Sequence, residues 1–225
     1  MTAMTQKAQH KNAQTAATQN ETKKPRKILP REERRQQLIE ATISCIARDG
    51  LGSTTMQMVT KEAGLSLGIA NLHFETKDNL LKETLRYVAE EYHSGQIAIM
   101  QGQETEDLTS RLTALLNFQL SQGVTQRQKM AVWFAYYGEA GARPVYQKIV
   151  SAWDRAAAKQ LETLFEAIIE DGQYRNIDAA DLAMGYSALI DGLHLALLVT
   201  PRELTKKQAK AIAKDFLQRA FPKHL

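Results

Sequence analysis

The chain has 225 residues, of which 44% are hydrophobic, and a net charge of +4; this length suits one large domain or two smaller ones. The single cysteine, Cys45, excludes an intramolecular disulfide and is typical of a reducing compartment. Residues 1–30 lack the apolar stretch of a secretory signal, and no uninterrupted run of about 18 apolar residues is found. Together these features predict a cytoplasmic protein with no membrane partner.

The positive charge is concentrated at the N-terminus. Residues 1–49 contain ten Lys or Arg and five acidic residues, which leaves nineteen basic and twenty acidic residues for the other 176. A basic end predicts a polyanionic partner, either nucleic acid or an anionic membrane surface. Residues 1–30 hold too little apolar surface to offset the entropy of ordering, so we expect a disordered basic arm. This arm either contacts DNA phosphates and the minor groove or serves as a solubilising tail.

Three helices are predicted directly after the arm. The first spans 31–49, ends at Gly50 and turns inward Leu38, Ala41, Thr42, Cys45 and Ile46. The second begins at Thr54, three residues before Gln57 in a capping-box arrangement, and ends at Gly64. The third spans 67–74, with Ser66 as its N-cap. Two short helices joined by a glycine-containing turn are typical of the helix-turn-helix unit, and the third is then the recognition helix.

The rest of the chain is predicted to be helical throughout. A long helix over 78–99, with Asp78 as its N-cap, precedes segments at 107–121, 125–140, 143–170, 178–199 and 205–220. No segment alternates apolar and polar residues as a strand does. The expected fold is therefore all-α with about nine helices: a helix-turn-helix DNA-binding domain over 31–80 and a helical effector-binding and dimerisation domain over 81–225.

Residues 34–80 resemble the DNA-binding domain of the TetR family of bacterial regulators. The resemblance rests on Gly50, the Thr54–Thr55 pair, the turn over 63–66, Phe74 and the stretch over 77–80. It implies a sequence-specific regulator, usually a repressor, that binds a pseudo-palindromic operator as a dimer in the cytoplasm, at the nucleoid. It assigns DNA contacts to Thr55, Gln57, Leu67, Gly68, Ile69, Asn71, Leu72 and His73, and a phosphate contact to Lys77.

The recognition helix departs from the usual pattern of that family. His73 stands where an aromatic residue is common, and Leu67, Ile69 and Leu72 make the helix unusually apolar. Chemically, Asn71 can pair with adenine through two hydrogen bonds, whereas leucines can pack on thymine methyl groups. His73 either bonds a phosphate or is a solvated or helix-capping residue.

The segment over 178–199 is apolar on more than one side. Tyr186, Leu189, Leu193 and Leu197 share one side, whereas Met184, Leu195 and Leu198 lie roughly opposite. A helix that is apolar all round must be covered all round, which predicts a second subunit on one side. The last helix would complete a four-helix interface through Ala209, Ile212, Ala213, Phe216 and Ala220. The alternative is a central helix that is fully buried within a monomer.

An aromatic cluster marks a candidate effector site. Trp133, Tyr136 and Tyr137 occupy an arc of about 100° on one helix, and Trp153 follows in the next. Aromatic faces around a cavity attract quaternary ammonium ions. The segments over 132–135 and 187–193, which include Asp191, also resemble choline-responsive BetI-type regulators, and this resemblance implies a cationic amine such as choline, with Asp191 near the cation. The alternative is an aromatic core without a ligand.

Other functional classes find little support in the sequence. No nucleophile elbow, zinc-protease motif, phosphate loop or catalytic Cys/His pair is found, so we predict neither an enzyme nor a cofactor. Asp191 and His194 are three residues apart on a helix, but two ligands do not make a metal site. A ligand-free architectural DNA-binding protein of the same fold is the alternative function, and a cavity beside Trp133, Tyr136 and Tyr137 would argue against it.

Overall fold

The computed structural model describes residues 30–103, 105–141 and 143–225. Within these ranges the secondary structure consists of nine helices and no strand, which confirms the predicted all-α fold. The helices are α1 Arg31–Asp49, α2 Met56–Ala63, α3 Leu67–Phe74, α4 Lys77–Met100, α5 Leu108–Gln119, α6 Arg127–Ala140, α7 Pro144–Gly172, α8 Ala179–Val199 and α9 Lys206–Ala220. The predicted basic arm lies outside the described residues, apart from Pro30.

Helix α1 packs against α2 and α3 to form the first core. Its buried residues include Leu38, Cys45 and Ile46, so the cysteine is a core residue, as its position in the inward stripe predicts. Ala70 and Phe74 of α3 are buried in the same cluster. The short helices α2 and α3 are therefore held by apolar contacts rather than by their own stability, since isolated helices of this length are marginal in water.

Two predicted helix caps are wrong by one or two residues. The N-cap of α2 is Thr55, which accepts a hydrogen bond from the Met58 amide, whereas Thr54 is buried and donates to the Gly50 carbonyl at 2.8 Å. The N-cap of α4 is Thr76, not Asp78. In each case a hydroxyl in extended backbone geometry reaches the orphan amide three residues later. Ser66 caps α3 as predicted.

The apolar core consists of two clusters joined by α4. The first contains the helix-turn-helix core and also Val132 and Tyr136 of α6 and Tyr146 and Val150 of α7. The second joins the C-terminal end of α4 with α5, α7, α8 and α9. Helix α6 also packs on α1, so the C-terminal part of the chain contacts the helix-turn-helix part directly.

Helix α8 is long and apolar enough to cross a bilayer by length and composition alone, with 33% of that 18-residue window buried inside the protein. The segment is not an uninterrupted apolar run, because Asp181, Asp191 and His194 lie within it. The buried side of α8, which includes Tyr186, Ile190 and Leu193, packs into the second core cluster. Met184 is 72% exposed on the other side, together with Leu195 and Val199.

Only some of the α9 residues that the sequence predicts in a subunit interface are exposed to solvent. Ala209 and Ala213 are fully buried against the second core cluster, so their expected place in a subunit interface is wrong. Ile212 is exposed and Phe216 is partly buried. Small residues allow α9 to lie close to its own core, which leaves the side with Ile212 facing outward.

Candidate DNA interface and effector cavity

The recognition helix α3 exposes a mixed apolar and polar surface. Leu72 is 67% exposed and Leu67 is 42% exposed, and Gly68 and Asn71 lie on the same open surface. Thr55 and Gln57 at the start of α2 are also exposed. Large apolar side chains exposed next to an amide side chain suit the major groove, where thymine methyl groups and adenine edges are read.

Two of the predicted DNA contacts are partly buried. Ile69 packs against the first core cluster, so its side chain positions α3 as well as bordering the exposed surface. His73 is half-buried, and its pKa is lowered first by burial and then by the nearby cations Arg31 and Arg34. His73 is therefore a neutral hydrogen-bonding group at neutral pH rather than a cation.

Polar contacts fix the orientation of the recognition helix. The Arg35 guanidinium bonds Glu83 at 2.6 Å and lies 5.6 Å from the centre of the Phe74 ring, so it joins α1, α3 and α4. Arg48 bonds Glu62 at 2.9 Å and joins α1 to α2. A cation held over an aromatic ring and paired at the same time is restricted in its motion, which preorganises the helix that it contacts.

Lys77 lies at the first position of α4, where its ammonium group donates to the Gly52 carbonyl at 3.3 Å. This contact holds the turn before α2 against the start of α4. The side chain is half-buried and the bond is long, so the ammonium group is available to a phosphate oxygen at the same surface.

A cavity of about 410 Å³ lies among α4, α6, α7 and α8. Its walls include the aromatic rings of Tyr92, Trp133 and Tyr137 and the carboxyl groups of Asp154 and Asp191. A neighbouring cavity of about 160 Å³ shares Tyr92, Trp133 and Asp191. These three residues therefore form the wall between the two spaces.

The predicted effector residues divide into three groups. Trp133, Tyr137 and Asp191 line the cavity. Trp153 does not line either cavity but stacks on His93, with ring centres 5.9 Å apart and planes at 7°. Tyr136 is fully buried in the first core cluster, so its predicted place in the cavity is wrong. It lies about 60° around α6 from Trp133, enough to turn it towards α4.

Two carboxyl groups facing the cavity titrate well above their usual range. Burial raises the pKa of Asp191 to about 6. Burial and the charge of Asp191 raise the pKa of Asp154 to about 6. Among the described residues, neither carboxylate forms an ion pair with a lysine or arginine, and both are ionised at neutral pH. The cavity therefore presents uncompensated negative charge beside aromatic faces.

A buried histidine that the sequence analysis did not single out also lines the cavity. His93 is 3% exposed, and burial lowers its pKa to about 4. Its Nδ1 is bonded to Gln96 at 2.9 Å, whereas its Nε2 has no hydrogen-bond partner and lies 3.4 Å from Asp154 Oδ1. No group of three or more potential metal ligands is found in the described ranges.

Comparison with known proteins identifies the family of both parts of the chain. Residues 38–84 match the bacterial regulatory proteins of the tetR family, and residues 108–222 match the C-terminal domain of BetI-type transcriptional repressors. The chain belongs to the TetR family. These matches confirm the resemblance inferred from the sequence, both for the helix-turn-helix part and for the C-terminal part. This TetR protein is a transcriptional regulator.

Individual relatives span most of this TetR chain. The HTH-type transcriptional regulator BetI 2 of Chromohalobacter salexigens is 30% identical over 186 residues, 82% of this chain and 86% of the relative. BetI of Escherichia coli K12 is 24% identical over 84% of this chain and 94% of the relative. A putative transcriptional regulator from Saccharomonospora viridis, solved in complex with choline, superposes with a TM-score of 0.74 at 26% identity. The match covers 83% of this chain and 96% of the Saccharomonospora viridis chain.

Proposed function

We propose that the protein represses transcription as a homodimer on a pseudo-palindromic operator and leaves DNA when a small cationic amine, with choline as the first candidate, binds in the cavity. Residues 31–80 bind DNA, and residues 81–225 bind the effector and form the dimer. The protein acts in the cytoplasm, at the nucleoid. Residues 1–30 extend the DNA contact through backbone phosphates.

Some residues of the DNA-binding domain contact base edges, and others contact the phosphate backbone. Asn71, Leu67 and Leu72 contact base edges, and Gly68 allows close approach of the backbone. Thr55, Gln57 and His73 bond phosphates without adding positive charge, and Lys77 neutralises one phosphate. One recognition helix reads few base pairs, so affinity for a specific site requires two helices about 34 Å apart.

Dimerisation follows from the uncovered apolar side of α8. Met184, Leu195 and Val199 are exposed there in the described part of the chain, and Ile212 of α9 is a further exposed apolar residue. A surface of this kind is typical of a subunit interface. The same pairing accounts for the composition of α8 without a membrane, because the side opposite to its core side is covered by a second copy.

The observation that carries the effector proposal is the pairing of aromatic faces with two carboxylates in one cavity. Trp133 and Tyr137 meet edge to face, with ring centres 5.1 Å apart, beside Asp154 and Asp191. A quaternary ammonium ion gains about 0.5–2 kcal/mol from such aromatic contacts when desolvated. It also pairs with two carboxylates that have no lysine or arginine partner among the described residues. The choline-bound relative from Saccharomonospora viridis supports the same class of ligand.

Helix α6 links the cavity to DNA. Trp133 and Tyr137 face the cavity, whereas Val132 and Tyr136 lie on an adjacent face and pack in the cluster of the helix-turn-helix. A ligand that moves Trp133 therefore moves the support of α1 and changes the separation of the two recognition helices. Ligand and DNA then weaken each other by the same factor.

The ligand-free architectural role is the weaker alternative. It requires the aromatic side chains to be packed solid, as Tyr136 is, yet Trp133 and Tyr137 border a space of about 410 Å³. A space of this size lined by aromatic faces and a few polar groups is typical of a ligand site.

The test begins with selection of bound sequences from random duplex DNA by the purified full-length protein. The selected site is then titrated with choline, and release is followed by fluorescence anisotropy. We expect choline to lower DNA affinity in the wild type and to have much less effect in Asp191→Asn. The control is Asp181→Asn, an exposed carboxylate of α8 outside both cavities. Unchanged DNA affinity across a series of cationic amines would overturn the effector proposal.

A further inference from the structure

A chain of buried hydrogen bonds ends at the effector cavity. The Tyr186 hydroxyl bonds Gln119 Oε1 at 2.7 Å, Gln119 Nε2 bonds Gln96 Oε1 at 3.0 Å, and Gln96 Nε2 bonds His93 Nδ1 at 2.9 Å. All four side chains are buried, and they come from α8, α5 and α4. A satisfied buried polar network rigidifies the side chains that it joins, so this network fixes the position of His93 at the cavity.

The direction of this chain determines which nitrogen of His93 carries the proton. In the order given, the Tyr186 hydroxyl and each glutamine amide donate one hydrogen bond along the chain, and His93 Nδ1 accepts the last. In the reverse order the buried Tyr186 hydroxyl proton would have no acceptor, and a bare Nε2 lone pair would lie 3.4 Å from Asp154 Oδ1. Both consequences of the reverse order are unfavourable. His93 is therefore the neutral tautomer with its proton on Nε2.

The Nε2–H group of His93 is a buried donor without a partner in the described part of the chain. It has no hydrogen-bond partner, it belongs to a residue that is 3% exposed, and that residue lines the cavity. The Trp153 ring stacks on His93 and holds the imidazole plane. An unsatisfied buried donor is costly, so a ligand oxygen that accepts from it gains more than it would from an exposed donor.

We propose that His93 Nε2–H is the contact by which the cavity selects the hydroxyl group of a bound amino alcohol over an alkyl group of the same size. The hydroxyl oxygen accepts from His93 Nε2, and the hydroxyl proton is donated to Asp154. The cationic end lies against Asp191 and the face of Trp133. This inference rests on the proposed function, because it requires a cationic amine in the cavity.

The chemistry predicts a clear order among ligands of nearly equal shape. Choline has the hydroxyl, its methyl ether can accept but not donate, and n-propyltrimethylammonium has a methyl group in place of the hydroxyl. Loss of both hydrogen bonds leaves His93 and Asp154 desolvated without a partner. We expect n-propyltrimethylammonium to bind roughly tenfold more weakly than choline, with the methyl ether in between.

Isothermal titration of the full-length protein with these three ligands tests the inference without any substitution. A pH of about 8 is suitable, because the carboxyl groups, with pKa values of about 6, are then ionised and His93, with a pKa of about 4, is neutral. Equal affinities for choline and n-propyltrimethylammonium would overturn the role of His93 while leaving the cation site intact. Failure of all three ligands to bind would instead overturn the proposed function, and this inference with it.

Two substitutions of His93 provide a matched pair. In His93→Asn the amide oxygen replaces Nδ1 as the acceptor for Gln96, but no donor reaches the position of Nε2. In His93→Gln the longer amide restores a donor near that position. We expect discrimination between choline and n-propyltrimethylammonium to fall to about onefold in the first variant and to return partly in the second. Retention of the wild-type ratio in a folded His93→Asn variant would contradict the proposal, and the wild-type ligand series decides the matter if that variant does not fold.

Discussion

The hydroxyl of Tyr136 donates a hydrogen bond of 2.5 Å to the carbonyl oxygen of Leu81, and it thereby joins α6 to α4 next to the helix-turn-helix. Both residues are buried in the first core cluster. Trp133, one turn earlier on α6, lines the effector cavity. A single helical turn therefore contains both a ring that lines the cavity and a hydrogen bond to α4.

Substitution Tyr136→Phe removes that hydrogen bond with little change of shape. We expect the free energy of unfolding to fall by about 1 kcal/mol, which corresponds to a decrease of roughly 2–4 °C in Tm for a chain of this size. Choline affinity is expected to change little because Tyr136 lies outside the cavity, whereas the effect of choline on DNA affinity is expected to weaken. Thermal unfolding and anisotropy titrations measure these three quantities.

Tyr146→Phe is the matched control. Tyr146 packs edge to face on Tyr136, with ring centres 5.0 Å apart, and is equally buried, but its hydroxyl has no hydrogen-bond partner among the described residues. Removal of an unsatisfied buried hydroxyl is expected to leave stability unchanged or to raise it. If the two variants lose the same stability and the same coupling, the Tyr136–Leu81 bond is not the connection.

At the DNA surface, Asn71→Ala and Lys77→Gln are expected to fail in different ways. Loss of a bidentate base contact by Asn71 should weaken binding by about 1–3 kcal/mol at the selected site and relax specificity at one base pair. Loss of the Lys77 phosphate contact should weaken binding to all sequences and reduce the slope of log K against log salt by about 0.9. Anisotropy titrations at several salt concentrations, with selected and scrambled duplexes, measure both effects.

The same experiment has a structural control. Lys77 also bonds the Gly52 carbonyl, so its loss can loosen the turn before α2. Thermal unfolding of Lys77→Gln separates the two effects, because a looser fold lowers Tm without changing the salt slope. An unchanged slope in a stably folded variant would remove Lys77 from the phosphate contacts.

Disruption of the α8 surface should separate the subunits. Leu195→Glu places a charge on the exposed apolar side of α8, outside both cavities, and burying that charge in an interface without a partner costs several kcal/mol. We expect a folded monomer by sedimentation velocity, with strongly reduced affinity for the pseudo-palindrome. Val145→Glu is the control, because Val145 is an exposed apolar residue of α7. A Leu195→Glu protein that remains dimeric at micromolar concentration would refute this interface.

The fold was predictable because its signals are local. A helical stripe such as Leu38, Cys45 and Ile46 repeats within one element, and an N-cap serine such as Ser66 acts over three residues. The misplaced caps show the limit of these signals. Thr54 and Thr55 are adjacent with the same side chain, and only the backbone conformation decides which hydroxyl reaches an amide and which is buried.

The effector cavity was only partly predictable because its details depend on distant residues. The stripe of Trp133, Tyr136 and Tyr137 identified the correct helix, but only packing against α4 shows that Tyr136 turns away from the cavity. Gln119 bonds Gln96 and Tyr186 across separations of 23 and 67 residues. No local pattern connects those positions, so His93 had no signal in the sequence.

The last prediction concerns pH. The pKa of Asp191 and of Asp154 is raised to about 6, and a bound cation stabilises their ionised forms. Choline affinity should therefore be constant at alkaline pH and fall as the pH decreases through 6, by up to about tenfold per pH unit for each carboxyl.

The folding stability of the free protein should depend on pH with the opposite sign. A raised pKa means that the folded state holds the proton more tightly than the unfolded chain, so this contribution favours folding fully below pH ~4 and is lost as the pH rises through 6. Asp191→Asn should consequently be more stable than the wild type at pH ~8 and equal to it at pH ~4, because other titrating groups cancel in the comparison. Isothermal titration and chemical denaturation at matched pH values check both signs, and a choline affinity independent of pH would show that the carboxylates do not hold the cation.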